Sequence, residues 1–522
     1  MGLFINKGND GFQQSRNGEY VDKSGLIGFM NSVLNTEHQY VCVTRARRFG
    51  KTIAAKMLYA YYDKSCDSRA LFEDLEIATD PTFEQHLNKY PAIYLDMTDF
   101  TSRGLSPEDF VATVEKTLCR ELQTVWPDIQ YSDASSLPFS LVNIAQSTGE
   151  KFIFIIDEWD APLREFKGND VVEKEWVGLL RSMFKSATVQ TAFAGVYITG
   201  ILPIVRYNTQ SALNNFQEYN LITPKVIGKY LGFTEEDVKN LCEKHHMPFE
   251  QMEAWYDGYQ LGRMGHIFNP NSVMSAIRNR EFLSYWAATG AGNELVPYLR
   301  YELREDVQLL LAGESIYVDT YSFDNRLGDI DTRDKLFTAL IHLGYLSYDG
   351  RKARIPNLEL MLYFGSSIKR ANLGGLTHVL SRSEEVLDSI LAGKSDRVAA
   401  LLALSHDDIC GAQEYNSEQG LYTTLRESLF FAHQDYIFHR EYPSGKGFAD
   451  LVLIPRPGHN LPALVVELKY DKDAASAIDQ IKERNYPAKI QEYSGEVLLV
   501  GVNYDKDTKE HQCSIESFSN LL

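Results

Sequence analysis

Four short apolar segments constrain the fold of this chain more than any other feature of its sequence. They are YVCVT at residues 40–44, AIYLDMTDF at 92–100, KFIFIIDEWD at 151–160 and TAFAGVYITG at 191–200, with helix-like stretches between them. Strands that read as continuous apolar runs and alternate with helices are typical of a parallel sheet covered on both faces. The first 225 residues therefore predict one α/β domain, with functional residues at the carboxyl ends of its strands.

The length of the chain predicts further domains. At 522 residues it exceeds what one hydrophobic core usually serves. The pattern becomes mostly helical over residues 226–405, and strands and helices alternate again over 406–522. We expect an α/β domain over 1–225, a helical lid or coupler over 226–405, and a smaller C-terminal domain over 406–522.

Charge and cysteine usage limit the setting and the partners. The formal net charge of −19 means that any contact with nucleic acid would need a local basic patch or bound metal ions. The six cysteines are scattered without a CxxC pair, which favours a reducing, cytoplasmic location. No apolar run reaches the roughly 18 residues that span a bilayer, so we expect no membrane partner.

The segment TRARRFGKT at residues 44–52 lies between a predicted strand and a predicted helix. In such a loop, backbone N–H groups and the helix N-terminus can surround a triphosphate. After Gly50, Lys51 would reach the β and γ phosphates, and Thr52 would bind Mg²⁺. The general phosphate-loop pattern has a further glycine where this chain has Arg45, so a chance tripeptide opening a surface helix is the alternative.

A second element, the apolar strand in FIFIIDEWD, decides between these interpretations. It delivers Asp157, which could bind Mg²⁺ through water, and Glu158, which could activate the attacking water. A buried strand that merely ends in solvated acids is common. However, the strand, loop, helix and acidic strand occur here in the order that an ATP-hydrolysing P-loop domain requires.

Four other side chains are predicted nucleotide contacts. Arg47 and Arg48 add positive charge beside the phosphates, and Phe49 belongs to the same loop. Thr199, at the end of a later strand, could sense the γ-phosphate or position water, although such a threonine is more often a cap or turn residue. An arginine finger can come from another subunit, and a homo-oligomer is therefore an additional expectation.

A second group of charged residues lies near the C-terminus. Asp450 begins one predicted strand, and Glu467 and Lys469 share a face of the next one because they are two residues apart. In an antiparallel hairpin these three residues would meet. Two carboxylates can bind Mg²⁺, and a nearby lysine can orient water for phosphodiester hydrolysis. A plain hairpin with exposed charges is the alternative.

Two helices flank this hairpin and could extend the site. Glu418 on the preceding helix could add a third carboxylate to the metal site, and Gln480 on the following helix could face the same centre. For each residue, a solvated helix face is the simpler interpretation.

The motifs occur in a recognisable order. TRARRFGKT, IIDEWDAP, ITGILP, SALNNF, GFTEEDV, WYDGY, FNPNSV, YWAATG, LGYLSY and IPNLE together resemble the predicted AAA-ATPase-like proteins of bacteria. Those proteins commonly have an arginine-rich R-x-R-R-F-G-K-[ST] loop, so Arg45 fits their pattern. The resemblance implies ATP and Mg²⁺ as cofactors, with Lys51, Thr52, Asp157 and Glu158 in the roles given above.

That family typically ends in a PD-(D/E)XK nuclease superfamily domain, and YPSGKGFADLVLI with LVVELKY and QIKERNY resembles such an ending. The resemblance implies a restriction-endonuclease-like fold and gives Asp450, Glu467, Lys469 and Gln480 catalytic roles. Glu418 is a looser match, and Ala449 replaces the proline that usually precedes the acid.

The sequence thus predicts an ATPase coupled to a metal-dependent nuclease acting on DNA or RNA. Two alternatives stay open. One is a regulatory or signalling ATPase whose C-terminal domain binds nucleic acid or protein without cutting, which the acidity of the chain favours. The other is a nucleotide-binding switch without turnover.

Overall fold

The computed structural model describes residues 2–204, 206–207, 210–211, 213–262, 265–286, 295–326, 330–410, 416–444, 447–483 and 495–518. The chain divides into two compact units. Unit 1 comprises Met1–Leu283 and Ser315–Asn357, and unit 2 comprises Ser284–Glu314 and Leu358–Leu522.

Unit 1 is built around a parallel sheet with the strand order β2-β3-β4-β1-β7. Its strands and the adjacent short pair are β1 (Tyr40–Thr44), β2 (Ala92–Asp96), β3 (Phe152–Asp157), β4 (Phe193–Gly200), β5 (Arg206–Tyr207), β6 (Gln210–Ser211) and β7 (Gln217–Tyr219). The helices are α1 (Asp10–Arg16), α2 (Gly25–Val33), α3 (Lys51–Tyr62), α4 (Phe83–His86), α5 (Thr98–Thr101), α6 (Pro107–Val125), α7 (Leu137–Thr148), α8 (Ala161–Glu165), α9 (Asp170–Lys185) and α10 (Ala187–Gln190). The sheet confirms the predicted α/β class.

Alternate residues of β1 to β4 enter two separate hydrophobic cores, one on each face of the sheet. In β3, Phe154 packs in one core with α6 and α9, and Ile155 packs in the other core with α3. Both faces of the sheet are therefore covered at β1 to β4, which explains why these four strands are mainly apolar instead of alternating with polar residues.

The middle of the chain is mostly helical. Its helices are α11 (Glu235–His245), α12 (Phe249–Tyr256), α13 (Pro270–Asn279), α14 (Arg304–Leu311), α15 (Arg333–His342), α16 (Leu358–Arg370), α17 (Gly375–Leu391) and α18 (Ser395–Ile409). Its short strands are β8 (Tyr259–Gln260), β9 (His266–Ile267), β10 (Ile316–Tyr317), β11 (Ser347–Tyr348) and β12 (Lys352–Arg354). The side chain of Asn269 accepts hydrogen bonds from two backbone N–H groups at the start of α13. Pro270, the first residue of this helix, has no N–H group that would require an acceptor.

The C-terminal part of unit 2 contains a mixed sheet with the order β13-β14-β15-β16-β17. Its elements are α19 (Glu418–Ser428), β13 (Tyr436–Ser444), β14 (Gly447–Pro455), β15 (Ala463–Tyr470), α20 (Ala474–Glu483), β16 (Val497–Tyr504) and β17 (His511–Phe518). Strands β15 and β16 run parallel, with α20 between them in sequence, and the other neighbours are antiparallel. The arrangement is consistent with the predicted nuclease-like fold.

Within the described part of the chain, no helix has both the length and the apolar content needed to cross a lipid bilayer.

Candidate nucleotide and metal sites

The predicted phosphate loop connects the end of β1 to the start of α3. Gly50 has a φ of 83°, in the left-handed region that glycine adopts without penalty, and the helix begins at Lys51. The Lys51 side chain is 3% exposed, and its Nζ donates a hydrogen bond of 3.1 Å to the carbonyl of Ala46. The lysine therefore lies folded along the loop, beside the amino end of a helix that favours anions.

Asp157, the last residue of β3, and Glu158, which follows it, lie at the same end of the sheet. Asp157 is fully buried and accepts a 3.1 Å hydrogen bond from the hydroxyl of Tyr94. Burial, followed by the charge of Glu158, raises the pKa of Asp157 to about 6, while a hydrogen bond from Thr52 acts in the opposite direction. A desolvated carboxylate beside a threonine hydroxyl offers the hard oxygen ligands that Mg²⁺ prefers.

Glu158 has a left-handed backbone, with a φ of 53°. This conformation is uncommon for a non-glycine residue and is often found at functional sites. Its Oε1 lies 3.4 Å from Lys51 Nζ, and its Oε2 forms an ion pair with Arg164 Nη2. The structure therefore joins the acidic strand end to the phosphate loop directly.

Lys51, Thr52 and Glu158 border a cleft of about 820 Å³, whereas the buried Asp157 is not among its lining residues in the part of the chain that the structure describes. Arg47, Arg48, Phe49, Gly50, Lys51, Thr52 and Glu158 all line it. Segments distant in sequence contribute the rest of the wall, including Tyr20, Lys23, Phe233, Asn271, Met274 and Arg278. Clefts of this size with mixed aromatic and charged walls are usual for small-molecule ligands.

Thr199 occupies a different environment. It is fully buried, and its hydroxyl donates a 2.8 Å hydrogen bond to the carbonyl of Val43 on the neighbouring strand. It is absent from the residues that line the cleft, within the part of the chain that the structure describes. The structure thus gives Thr199 a contact within the sheet, and its sensor role stays a prediction.

Arg45 also points away from the cleft. Its guanidinium is fully buried, and Nη1 donates to the carbonyls of Thr44 at 2.9 Å and Tyr219 at 3.3 Å. Burial lowers the pKa of Arg45 to about 10. The residue that replaces the usual loop glycine therefore ties the end of β1 to β7.

The C-terminal cluster forms where β14 and β15 pair. The paired register ends with Leu451 opposite Val466, and Asp450, the residue before Leu451, accepts a hydrogen bond from the backbone N–H of Leu468 on β15. Lys469 Nζ lies 3.0 Å from Glu467 Oε1. The hairpin thus places Asp450 beside the segment of β15 that carries Glu467 and Lys469.

Helix α20 adds Gln480 to this cluster. Lys469 Nζ donates to Gln480 Oε1 at 2.7 Å, and Gln480 Nε2 donates to Glu467 Oε1. Glu467 itself is 2% exposed. One buried carboxylate therefore has both a cation and an amide as neighbours, as the sequence predicts for this constellation.

The structure does not bring Glu418 into contact with these residues. It lies exposed in the first turn of α19, and no group of three or more His, Cys, Asp or Glu side chains suited to a metal occurs in the described ranges. Asp450 Oδ2 accepts a 2.7 Å hydrogen bond from the backbone N–H of Leu468. A metal between Asp450 and Glu467 would therefore complete its coordination with backbone, water or substrate oxygens.

Sequence reasoning did not identify three residues that shape these sites. Asp160 and Arg164 follow the acidic strand with the i,i+4 spacing of a helical ion pair, which is a detectable but weak signal. Gly501 faces α20, and an added Cβ would collide with the carbonyl of Ala474. No local pattern marks that close approach.

The fold and the two sites define the class of protein: a P-loop ATPase-like domain and a nuclease-like domain in one chain. Residues 8–209 match the family described as Predicted AAA-ATPase, and residues 421–513 match the PD-(D/E)XK nuclease superfamily. These matches confirm the architecture expected from the motifs.

One relative is similar to this chain over most of its length. An uncharacterized protein encoded in the vnfD 5′ region of Azotobacter chroococcum mcd 1 is 22% identical over 518 residues, which cover 95% of this chain and 96% of that protein. Its similarity therefore extends across both matched regions.

Three solved structures also show partial similarity. The Aeropyrum pernix ORC2 protein in ADPNP–ADP complexes has a TM-score of 0.30 and 13% identity, covering 70% of this chain and 99% of that one. The A. pernix ORC1 protein in complex with DNA has a TM-score of 0.25 and 11% identity, covering 71% and 98%. AMPPCP-bound DnaA from Aquifex aeolicus has a TM-score of 0.24 and 10% identity, covering 76% and 97%.

Proposed function

We propose that this protein binds and hydrolyses ATP with Mg²⁺ in unit 1 and cleaves nucleic acid at the Asp450 and Glu467 cluster in unit 2, with the nucleotide state controlling cleavage. The observation that carries the ATPase proposal is the convergence of Lys51, Thr52 and Glu158 on one cleft, with the buried Asp157 hydrogen-bonded to Thr52.

Each residue of the ATP site has a distinct role in this proposal. Lys51 leaves the carbonyl of Ala46 and binds the β and γ phosphates, and the amino end of α3 supports them. Thr52 and Asp157 hold Mg²⁺, which neutralises charge on the phosphates when it is bound. Arg47 and Arg48 at the cleft wall add positive charge.

Glu158 serves as the general base. It accepts a proton from water as the water oxygen forms a bond to the γ-phosphorus. The bond from that phosphorus to the bridging oxygen breaks, and its electron pair leaves with ADP. The products are ADP and phosphate, and the proton on Glu158 passes to solvent.

The C-terminal cluster supports phosphodiester hydrolysis. Asp450 and Glu467 hold Mg²⁺, which polarises the phosphate when it is bound. Lys469, placed by Gln480 and Glu467, orients the attacking water. Water adds to the phosphorus, one P–O ester bond breaks with its electron pair, and the departing strand end takes a proton.

The ATPase proposal is tested by phosphate release and ATP binding. Lys51→Ala should lose turnover by about 100-fold or more and bind ATP weakly, because it removes the main cation of the loop. Glu158→Gln should retain binding and lose turnover. Lys116→Ala on the exposed side of α6 is the matched control. Wild-type turnover that survives both site changes would refute the assignment.

A second function is favoured by one observation. Lys469 and Gln480 already contact the Glu467 carboxylate, and the described residues contain no cluster of three or more acidic, histidine or cysteine side chains suited to a metal. A C-terminal domain that binds nucleic acid without cutting, controlled by the ATPase, fits that arrangement. Binding of labelled DNA or RNA without any Mg²⁺- or Mn²⁺-dependent cleavage would support it.

A further inference from the structure

A chain of ion pairs connects Glu158 to the interior of unit 1. Arg164, on the short helix α8, contacts Glu158 Oε2 through Nη2 and places Nε 3.0 Å from Asp160 Oδ2. The Arg164 side chain is 18% exposed and lines the same cleft as Lys51. A planar guanidinium can hold two carboxylates in a fixed geometry.

Asp160 is a fixed anchor for that arginine. It is fully buried and accepts hydrogen bonds from the backbone N–H groups of Ile201 at 3.2 Å and Leu202 at 3.0 Å. An added Cβ at Gly200 would collide with the Asp160 carboxylate, so the chain approaches this side chain closely. The position of Arg164 is thereby coupled to the end of β4.

The two oxygens of Glu158 face different cations. Oε1 lies 3.4 Å from Lys51, which belongs to the phosphate loop, whereas Oε2 contacts Arg164, which does not. A triphosphate would draw Lys51 onto its oxygens and so vacate Oε1. The contact with Arg164 can persist, because its anchor on Asp160 lies outside the loop.

We infer that Arg164 is a positioning residue that holds Glu158 Oε2 and thereby presents Oε1 to the attacking water. This inference rests on the proposed ATP hydrolysis. The same contact explains how the Glu158 side chain keeps one orientation on a left-handed backbone, because Arg164 holds its carboxylate.

The kinetic test is a double-mutant cycle between Arg164→Ala and Glu158→Gln. Arg164→Ala should lower kcat by about 10- to 100-fold and change the KM for ATP by less than about threefold, because the base is misplaced and the nucleotide contacts remain. In the Glu158→Gln background, the same change should cost almost nothing more. Arg164→Lys should restore part of the loss.

The exposed Arg181→Ala on α9 is the matched control and should retain wild-type turnover. The inference would be overturned if the double variant lost kcat by the product of the two single losses. Such independence would indicate that Arg164 has a purely structural role. A large rise in KM with unchanged kcat would overturn it too, because Arg164 would then be a phosphate ligand.

A crystal structure with AMPPNP and Mg²⁺ gives a readout that needs no turnover. We expect Lys51 on the phosphates and Arg164 still bonded to Glu158; Arg164 on the γ-phosphate would contradict the inference. If the wild type binds ATP without hydrolysing it, the proposed hydrolysis fails, and this structure still decides whether Arg164 holds Glu158.

Discussion

Lys51 Nζ and Glu158 Oε1 lie 3.4 Å apart, so the cation of the phosphate loop and the acid after β3 face each other across the cleft. The two residues are separated by more than 100 positions in the sequence. Their contact follows from the parallel sheet, in which β1 and β3 end at the same edge with β4 between them. A bound triphosphate would replace this ion pair.

Asp157→Asn should stabilise the protein in the absence of Mg²⁺ and nucleotide. Burial raises the pKa of Asp157 to about 6, above the ordinary value of 3.8. The folded protein is most stable while the Asp157 carboxyl is protonated. Its free energy of unfolding therefore falls as the pH rises from about 4 through 6. We expect the free energy of unfolding of the variant to exceed that of the wild type by about 3 kcal/mol at pH 8, and by less at pH 5.

Urea unfolding followed by tryptophan fluorescence measures this difference, since Trp159 and Trp176 are buried in the same region. The exposed Asp128→Asn serves as the control. A variant that is less stable than the wild type at pH 8 would show that Asp157 is stabilised by its neighbours rather than strained by burial.

Gly501→Ala should impair the C-terminal site selectively. Gly501 pairs with Glu467 across β15 and β16, and an added Cβ would collide with Ala474 of α20 and lie 3.0 Å from the Ala477 Cβ. The helix must move, which costs about 1–3 kcal/mol and displaces Gln480 from Glu467. We expect nucleic-acid cleavage to fall while ATP turnover is unchanged.

Gly178→Ala is the matched glycine control for this change. Gly178 lies within α9 with no atom within 4 Å of an added Cβ, so alanine there should be neutral or slightly stabilising. Equal loss of ATPase activity and cleavage in Gly501→Ala would contradict a local effect on α20.

The histidine pair of unit 2 should make the protein sensitive to mild acid. His511 Nε2 lies 2.7 Å from His406 Nδ1, and burial, followed by the charge of His406, lowers the pKa of His511 to about 4. Because the unfolded chain takes up that proton first, stability falls as the pH drops from about 6.5 toward 4.

Between pH 7.5 and pH 5, the free energy of unfolding should fall less in His511→Gln than in the wild type, by on the order of 1–2 kcal/mol. Thermal unfolding at the two pH values measures it, with the exposed His378→Gln as control. The same acid sensitivity in wild type and His511→Gln would place its cause elsewhere.

Local patterns predicted the parts of the fold that local chemistry determines. The apolar runs became β1 to β4, because a strand covered on both faces must be apolar along its whole length. The hairpin spacing likewise predicted that Asp450 would lie near the end of the next strand, and its carboxylate accepts a hydrogen bond from Leu468, the residue after Glu467. Both cases depend on short-range geometry.

Long-range packing determined the rest. The contributions of Asn271 and Arg278 to the cleft depend on where α13 packs, which its own periodicity does not encode. Glu418 was expected near the metal site, but the orientation of α19 leaves it exposed. The loop pattern could not predict that the Arg45 side chain is buried, because the carbonyl of Tyr219 that it contacts belongs to a strand distant in sequence.

We propose above that nucleotide binding at Lys51 controls nucleic-acid cleavage at Glu467. The most direct measurement is cleavage of labelled single- and double-stranded DNA and RNA with Mg²⁺ or Mn²⁺, with and without ATP, by wild type, Glu467→Ala and Lys51→Ala. We predict cleavage by the wild type, none by Glu467→Ala, and loss of the ATP dependence in Lys51→Ala. Absence of cleavage in every wild-type sample, alongside Lys51-dependent phosphate release, would contradict the claim and favour a regulatory ATPase.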